Sequence, residues 1–218
     1  SEIQNPNNIS LTMILEKMDE KYIEPMLMLF FSNFNTIGTN TFGTGKAGNI
    51  QIETPVLIIS EGIIDSSAHN SGNAGNIDIQ NVQQVTLQDY GFIRATAIPE
   101  QGNEGNIGKA GTITINANDN IFLDNFSSIS VASISSSDAG NINLTTNQLL
   151  LSKRSVINTK ATNAGGGNIT LQVRNFLDMK DSSISAKASG TEFHHHGGNL
   201  TIKAQSPEIG RASCRERV

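Results

Sequence analysis

The sequence repeats itself. A small residue, a glycine, Asn or Thr, Ile or Leu, any residue, and Ile or Leu follow one another six times. The copies are AGNIQI at Ala47, AGNIDI at Ala74, AGTITI at Ala110, AGNINL at Ala139, GGNITL at Gly166 and GGNLTI at Gly197. Their second-position glycines are Gly48, Gly75, Gly111, Gly140, Gly167 and Gly198, with steps of 27, 36, 29, 27 and 31 residues. A weaker seventh start, NNISL, begins at Asn7. A period of this size marks a repeat architecture, in which no single unit can bury its own apolar face.

Each repeat divides into three short β-like segments. The first alternates apolar and polar residues, as in Ile50/Ile52, Ile77/Ile79, Ile113/Ile115, Ile142/Leu144, Ile169/Leu171 and Leu200/Ile202. Period two places these pairs on one face of a strand. The second segment carries Val56/Ile58, Val85/Leu87, Ile121/Leu123 and Leu149/Leu151, then Leu177/Met179 shifted by one residue. The third begins at Ile37, Ile64, Ile93, Ile129, Ile157 and Ile184. Small residues follow on the same side: Thr39, Ser66, Ala95, Val131, Thr159 and Ala186. Turn residues bound every segment.

These features predict an all-β chain folded as a right-handed parallel β-helix, a solenoid of about thirty residues and three short strands per coil. Stacked coils put like strands beside one another at about 4.8 Å. The expected turn positions are Gly48, Asn49, Gly75, Asn76, Gly111, Gly140, Asn141, Gly167, Asn168, Gly198 and Asn199. The asparagines are expected to form a ladder that satisfies their amides from coil to coil. The glycines are expected to adopt a backbone angle that a Cβ would forbid. A β-sandwich of hairpins is the alternative, but a sandwich does not need the same sequence at each start.

Composition agrees. Asn, Gly, Ser and Thr supply 84 of the 218 residues, Ile is the commonest at 27, and Trp is absent. Ile and Thr suit thin pleated layers. The net charge is −5, and the basic residues are scattered without interleaved aromatics, which argues against nucleic-acid binding. The longest apolar run, Met26 to Phe31, is far shorter than a membrane span.

The chain divides into three parts: 1–36, a degenerate first coil with an irregular insert; 37–207, the repeats; and 208–218, a tail. The irregular stretch 13–35 holds four of the five Met and three of the nine Phe, with Pro25 interrupting a helix-prone run. It reads equally as a helical insertion or as a local frameshift. The tail, EIGRASCRERV, resembles the in-frame translation of a DNA-sequencing adapter and contains Cys214, the one cysteine. Without it the chain is cysteine-free, which suits export. The sequence starts at Ser1 with no Met and no signal peptide, and the missing signal carries little weight because the sequence reads as an internal fragment.

Catalytic chemistry is hard to find. Asp65, Asp89, Asp124 and Asp138 are spread over different strands and turns, and Asp178/Asp181 is the closest pair. Glycoside cleavage needs converging carboxylates. The calcium nonapeptide pattern is missing, and the Gly-rich stretch Ala164–Gly167 lacks the lysine of a phosphate loop. Thr-x-Thr, as on ice-binding solenoids, occurs only at Thr39/Thr41 and Thr112/Thr114. His194, His195 and His196 read as a solvated turn without a second ligand cluster, and His69 is assigned no role. The loop Pro99–Lys109 reads as solvated, with binding as the alternative. No enzyme activity, metal or cofactor is expected.

The repeats AGNIDIQNVQQVTLQDYGFIRATA, AGNINLTTNQLLLSKRSVINTKAT and GGNITLQVRNFLDMKDSSISAKAS resemble the filamentous-haemagglutinin-like exoproteins of cyanobacteria and other Gram-negative bacteria, over residues 37–205. The resemblance implies a fragment of a large exoprotein exported by an outer-membrane two-partner secretion transporter, with a recognition domain not visible here. It implies adhesion or surface display, a location outside the cell or on its outer surface, and a host-cell or glycan ligand that the sequence does not identify. A carbohydrate-active β-helix enzyme and an autotransporter passenger are the alternatives. Converging carboxylates from adjacent coils would favour the enzyme.

Overall fold

The computed structural model describes residues 8–12, 28–31, 35–98, 108–134, 137–162, 164–189 and 196–204, the first two segments by backbone alone. Every regular element among them is a β-strand, and every strand pair is parallel. The first coil holds β1 (Asn8–Thr12), β2 (Met28–Phe31) and β3 (Thr36–Gly38). The second holds β4 (Asn49–Glu53), β5 (Val56–Ser60), β6 (Ile63–Asp65) and β7 (Ala68–His69). The third holds β8 (Ile77–Gln88), β9 (Phe92–Arg94) and β10 (Ala97–Ile98). Next come β11 (Ile113–Leu123) with β12 (Ser128–Ser133), then β13 (Ile142–Ser152) with β14 (Val156–Ala161). Then follow β15 (Ile169–Lys180) with β16 (Ser183–Ala188), and β17 (Leu200–Ala204) opens another coil.

The chain is therefore a β-solenoid with two long parallel sheets. One runs β1-β4-β8-β11-β13-β15-β17, with β2 and β5 joined to it; the other runs β16-β14-β12-β9-β6-β3. The register Ile50↔Ile77↔Ile113↔Ile142↔Ile169↔Leu200 reproduces the sequence period. Asn8 pairs with Asn49, so the weak start at Asn7 is a genuine coil start. Third-segment isoleucines also align, from Ile37 through Ile64, Ile93, Ile129 and Ile157 to Ile184.

The inward columns form the core. Ile50, Ile77, Ile113, Ile142 and Ile169 are buried from the first segment, and Ile64, Ile93, Ile129 and Ile157 from the third. Each side chain stabilises by about 1.5–3 kcal/mol when fully buried. At the last described coil the column opens: Leu200 and Ile202 are 43% and 45% exposed, whereas Ile169 and Leu171 are at 0%.

Two details differ from the sequence reading. In the second segment the inward pair of β5 is Leu57/Ile59, which pair with Val85 and Leu87, and not Val56/Ile58. A one-residue shift exchanges the two faces of a strand. Its cause is Pro55, which lacks an N–H and breaks the strand between β4 and β5. In the later coils the first and second segments run on as one bent strand. The one-residue shift at Leu177 is absorbed there: Thr146 pairs with Val173 but Gln148 with Phe176, so β15 bulges by one residue.

Of the stretch 13–35, Met28–Phe31 forms β2, in register with Val56–Ile59 of β5. Residues 13–27 and 32–34, where the choice between helical insertion and frameshift falls, lie outside the described residues. So do 99–107 of the long loop, His194, His195 and the tail 208–218.

Candidate functional site

The predicted turn positions come together as a column at the coil starts. A Cβ built on Gly75 would lie 1.8 Å from the carbonyl oxygen of Gly48. The corresponding approaches are 1.9 Å for Gly111 on Gly75, 1.8 Å for Gly140 on Gly111, 1.8 Å for Gly167 on Gly140 and 1.9 Å for Gly198 on Gly167. None of these glycines has a φ in the left-handed region. The expectation of a special backbone angle is therefore corrected: glycine is required because each coil start rests on the carbonyl below it. Interior hydroxyls hold the same carbonyls. Ser66 Oγ and Thr39 Oγ1 both donate to Gly48 O at 2.6 Å, and Thr159 Oγ1 donates to Gly167 O at 2.6 Å.

Asparagine follows the glycine for a related reason. The N–H of Ile50 donates to Asn76 O, that of Ile142 to Asn168 O and that of Ile169 to Asn199 O. The Asn side chain supplies the reverse bond. Asn49 Oδ1 accepts from Asn76 N–H, Asn76 Oδ1 from Thr112 N–H, Asn141 Oδ1 from Asn168 N–H, and Asn168 Oδ1 from Asn199 N–H, each at 2.9 Å. The ladder runs from coil to coil as expected, and it joins side chain to main chain. Thr112 has no side-chain carbonyl to offer Asn141, so the column is interrupted there. Thr112→Asn should complete it and raise unfolding free energy by about 0.5–1.5 kcal/mol in denaturant titration. An unchanged or lowered value would contradict this account.

Sequence reasoning missed a second column, Gly45, Gly72 and Gly108. A Cβ on Gly72 would meet Gly45 O at 2.0 Å, and one on Gly108 would meet Gly72 O at 1.9 Å. The signal was present as GKAG, GNAG and GKAG, one glycine three residues ahead of the other. Also missed were the turns before the third segments. Asp89/Tyr90, Asn125/Phe126 and Lys153/Arg154 all have φ between 48° and 65°. Such angles are costly for bulky residues. Stacking offsets the cost: Tyr90 and Phe126 lie 5.3 Å apart with an interplanar angle of 7°, and the Arg154 guanidinium sits 5.4 Å over Phe126.

The aspartates singled out in the sequence are dispersed among different partners. Asp65 is buried and binds Arg94 Nη2 at 3.1 Å, Asn40 Nδ2 at 3.2 Å and the Ser67 hydroxyl. Asp89 accepts from Asn125, and Asp138 Oδ1 from Gly165 N–H. Asp178 pairs across the sheet with Leu150, and Asp181 O accepts from Arg154 N–H. Glu53 and Asp78 sit on adjacent coils of one face, but each accepts from a glutamine of its own strand, Gln51 and Gln80. Among the described residues no group of three or more His, Cys, Asp or Glu is placed to hold a metal ion, and no helix is long and apolar enough to cross a membrane.

Asp124 and Lys153 form an ion pair at 2.8 Å on the turn edge. Burial acts to raise the Asp124 pKa, but hydrogen bonds from Lys153 and Ser152 and the Lys153 charge outweigh it, leaving the carboxyl below its usual range. The Lys153 ammonium is pushed up by the hydrogen bond and charge of Asp124. Asp124 therefore stabilises the fold above its unfolded-state pKa and loses that effect as pH falls through its lowered folded value. The Lys153 part is present below its unfolded value and fades as pH rises through its raised one. Asp124→Asn should flatten the acid limb of the stability–pH curve, by a small amount that shrinks with salt, since the Lys153 side chain is 68% exposed.

Charge is unevenly placed along the solenoid. Among the described residues, 35–134 carry three Lys/Arg against seven Asp/Glu, formally −4. Residues 137–204 carry seven against three, formally +4.

Comparison with protein-family models, with curated proteins and with solved structures gives no match.

Proposed function

We propose that this chain is the structural rod of a secreted or surface-displayed bacterial adhesin-like exoprotein, resembling the filamentous-haemagglutinin type, and that it is not an enzyme. It would reach the surface through an outer-membrane two-partner secretion transporter. Recognition of a host-cell or glycan ligand would lie on its outer faces and loops. The observation that carries the reading is the unbroken column of coil starts from Gly48 to Gly198, which devotes the most constrained residues of each repeat to stacking. Main-chain groups at the coil starts bond from coil to coil, as Ile50 N–H does to Asn76 O and Ile142 N–H to Asn168 O.

The test is made on intact cells that carry the native reading frame and its neighbouring genes. Surface labelling should depend on an adjacent outer-membrane transporter gene, and the purified chain should scatter as an elongated particle. Labelling that appears only after lysis, whether or not the transporter is present, would sink the reading.

A further inference from the structure

The sheet built from the first and second segments is not uniform on its outward face. In the first segment the outward row is Gln51, Asp78, Thr114, Asn143, Thr170 and Thr201, polar at all six positions. In the second segment it is Ile58, Thr86, Phe122 and Leu150, register partners on four adjacent coils. Their neighbours along each strand, from Leu57 and Ile59 to Leu149 and Leu151, are buried in the core, so the row faces away from it. Ile58, Phe122 and Leu150 are half-buried, and Thr86 is sunk between two larger side chains. A row of amides, Gln84, Asn120 and Gln148, runs along one side. An apolar centre with a polar border is the anatomy of a protein interface.

We propose that this row pairs with the same row of a second copy, the two solenoids lying side by side and antiparallel about a two-fold axis between Thr86 and Phe122. Three observations select this occupant. The two-fold sets each Phe122 ring over the partner's Thr86, a large residue over a small one, and Ile58 against the partner's Leu150. It sets the acidic half of one copy, residues 35–134, against the basic half of the other, 137–204. It also sets Glu61 opposite the partner's Lys153, since each directly follows the second segment of its coil. In a parallel pair Phe122 would meet Phe122, and each charged half its like. An isologous pair closes on itself and stops at two copies. At about 4.8 Å per coil, four coils make a patch about 19 Å long. That is the small end for a specific interface, so the pair should form in the micromolar range.

The experiment is sedimentation velocity of the whole chain over a concentration series, in reducing buffer so that Cys214 cannot link copies. The parent should pass from monomer to dimer and stop there. Phe122→Thr/Leu150→Thr should raise the dissociation constant about tenfold or more. Threonine suits an outward strand position, so this variant should keep the parent's far-ultraviolet circular dichroism. Glu61→Lys should weaken pairing about threefold, less at high salt, and Glu61→Lys/Lys153→Glu should restore it. A parent that stays monomeric overturns the proposal, as does one that floats with phosphatidylglycerol vesicles instead of pairing. So does a threonine variant that associates like the parent, and a charge swap that fails to restore pairing overturns the antiparallel arrangement. Transporter-dependent surface labelling does not require this row, so a failure here is distinguishable from failure of the rod reading.

Discussion

Gly140→Val should be among the most damaging single substitutions in the chain. A Cβ at this position would stand 1.8 Å from Gly111 O, 2.7 Å from its carbonyl carbon and 3.1 Å from Ala110 O. All three neighbours are main chain, so no side chain can swing aside. Relief requires the two coils to separate by more than an ångström. That would break Ile113 N–H to Asn141 O, a 3.0 Å bond across the same boundary. Even Gly140→Ala should cost about 3 kcal/mol or more, the upper end of overpacking effects. Valine adds two methyl groups in the same direction. The control is Gly43→Ala, where nothing lies within 4 Å of the new atom, and stability should hold within about 0.5 kcal/mol. Denaturant titration of the three variants decides the matter. A Gly140→Ala protein as stable as the parent would mean that the coils do not stack at this spacing.

The second large effect is expected inside the column. Ile142 is fully buried between Ile113 and Ile169 on the neighbouring strands. Ile142→Ala should cost about 2–5 kcal/mol, because the stacked main chains hold the walls apart and the cavity cannot collapse. Ile202→Ala removes the same atoms from the same sheet, but Ile202 is 45% exposed, and the loss should stay below about 1 kcal/mol. The shape of the transition is a second readout. Each coil touches only its neighbours, so a weak central coil should divide one cooperative transition into two. Equal losses at the two positions would mean that Ile202 is covered as deeply as Ile142.

Much of this architecture was legible in the sequence because the ladder needs like residues at like places. The six coil starts, the third-segment isoleucines and the inward pairs of the first segment all follow from that demand. The second segment was legible except where Pro55 stands. There, Val56, Leu57, Ile58 and Ile59 form an unbroken apolar run, and alternation cannot tell which pair faces inward. Only the register with Val85 and Leu87 decides it. The glycine column was visible as a motif, but its cause was not. A single strand contains no hint of the carbonyl oxygen one coil away, whereas a left-handed backbone angle is a local explanation that comes to hand first. The turns at Asp89/Tyr90, Asn125/Phe126 and Lys153/Arg154 were illegible for the opposite reason. Glycine is the usual residue at such angles, and here bulky side chains hold them by stacking. The outward apolar row depends on register among β5, β8, β11 and β13, which no reading of one repeat supplies.

Those same turns carry one more consequence. Main-chain atoms join each turn to the next, from Tyr90 N–H to Asn125 O and from Phe126 N–H to Lys153 O. Down one column the side chains are Tyr90, Phe126 and Arg154, with no two alike, yet the backbone at each keeps a positive φ. Shape and content are thus written in separate scripts. The solenoid can exchange outward side chains coil by coil without revising the main-chain ladder that folds it.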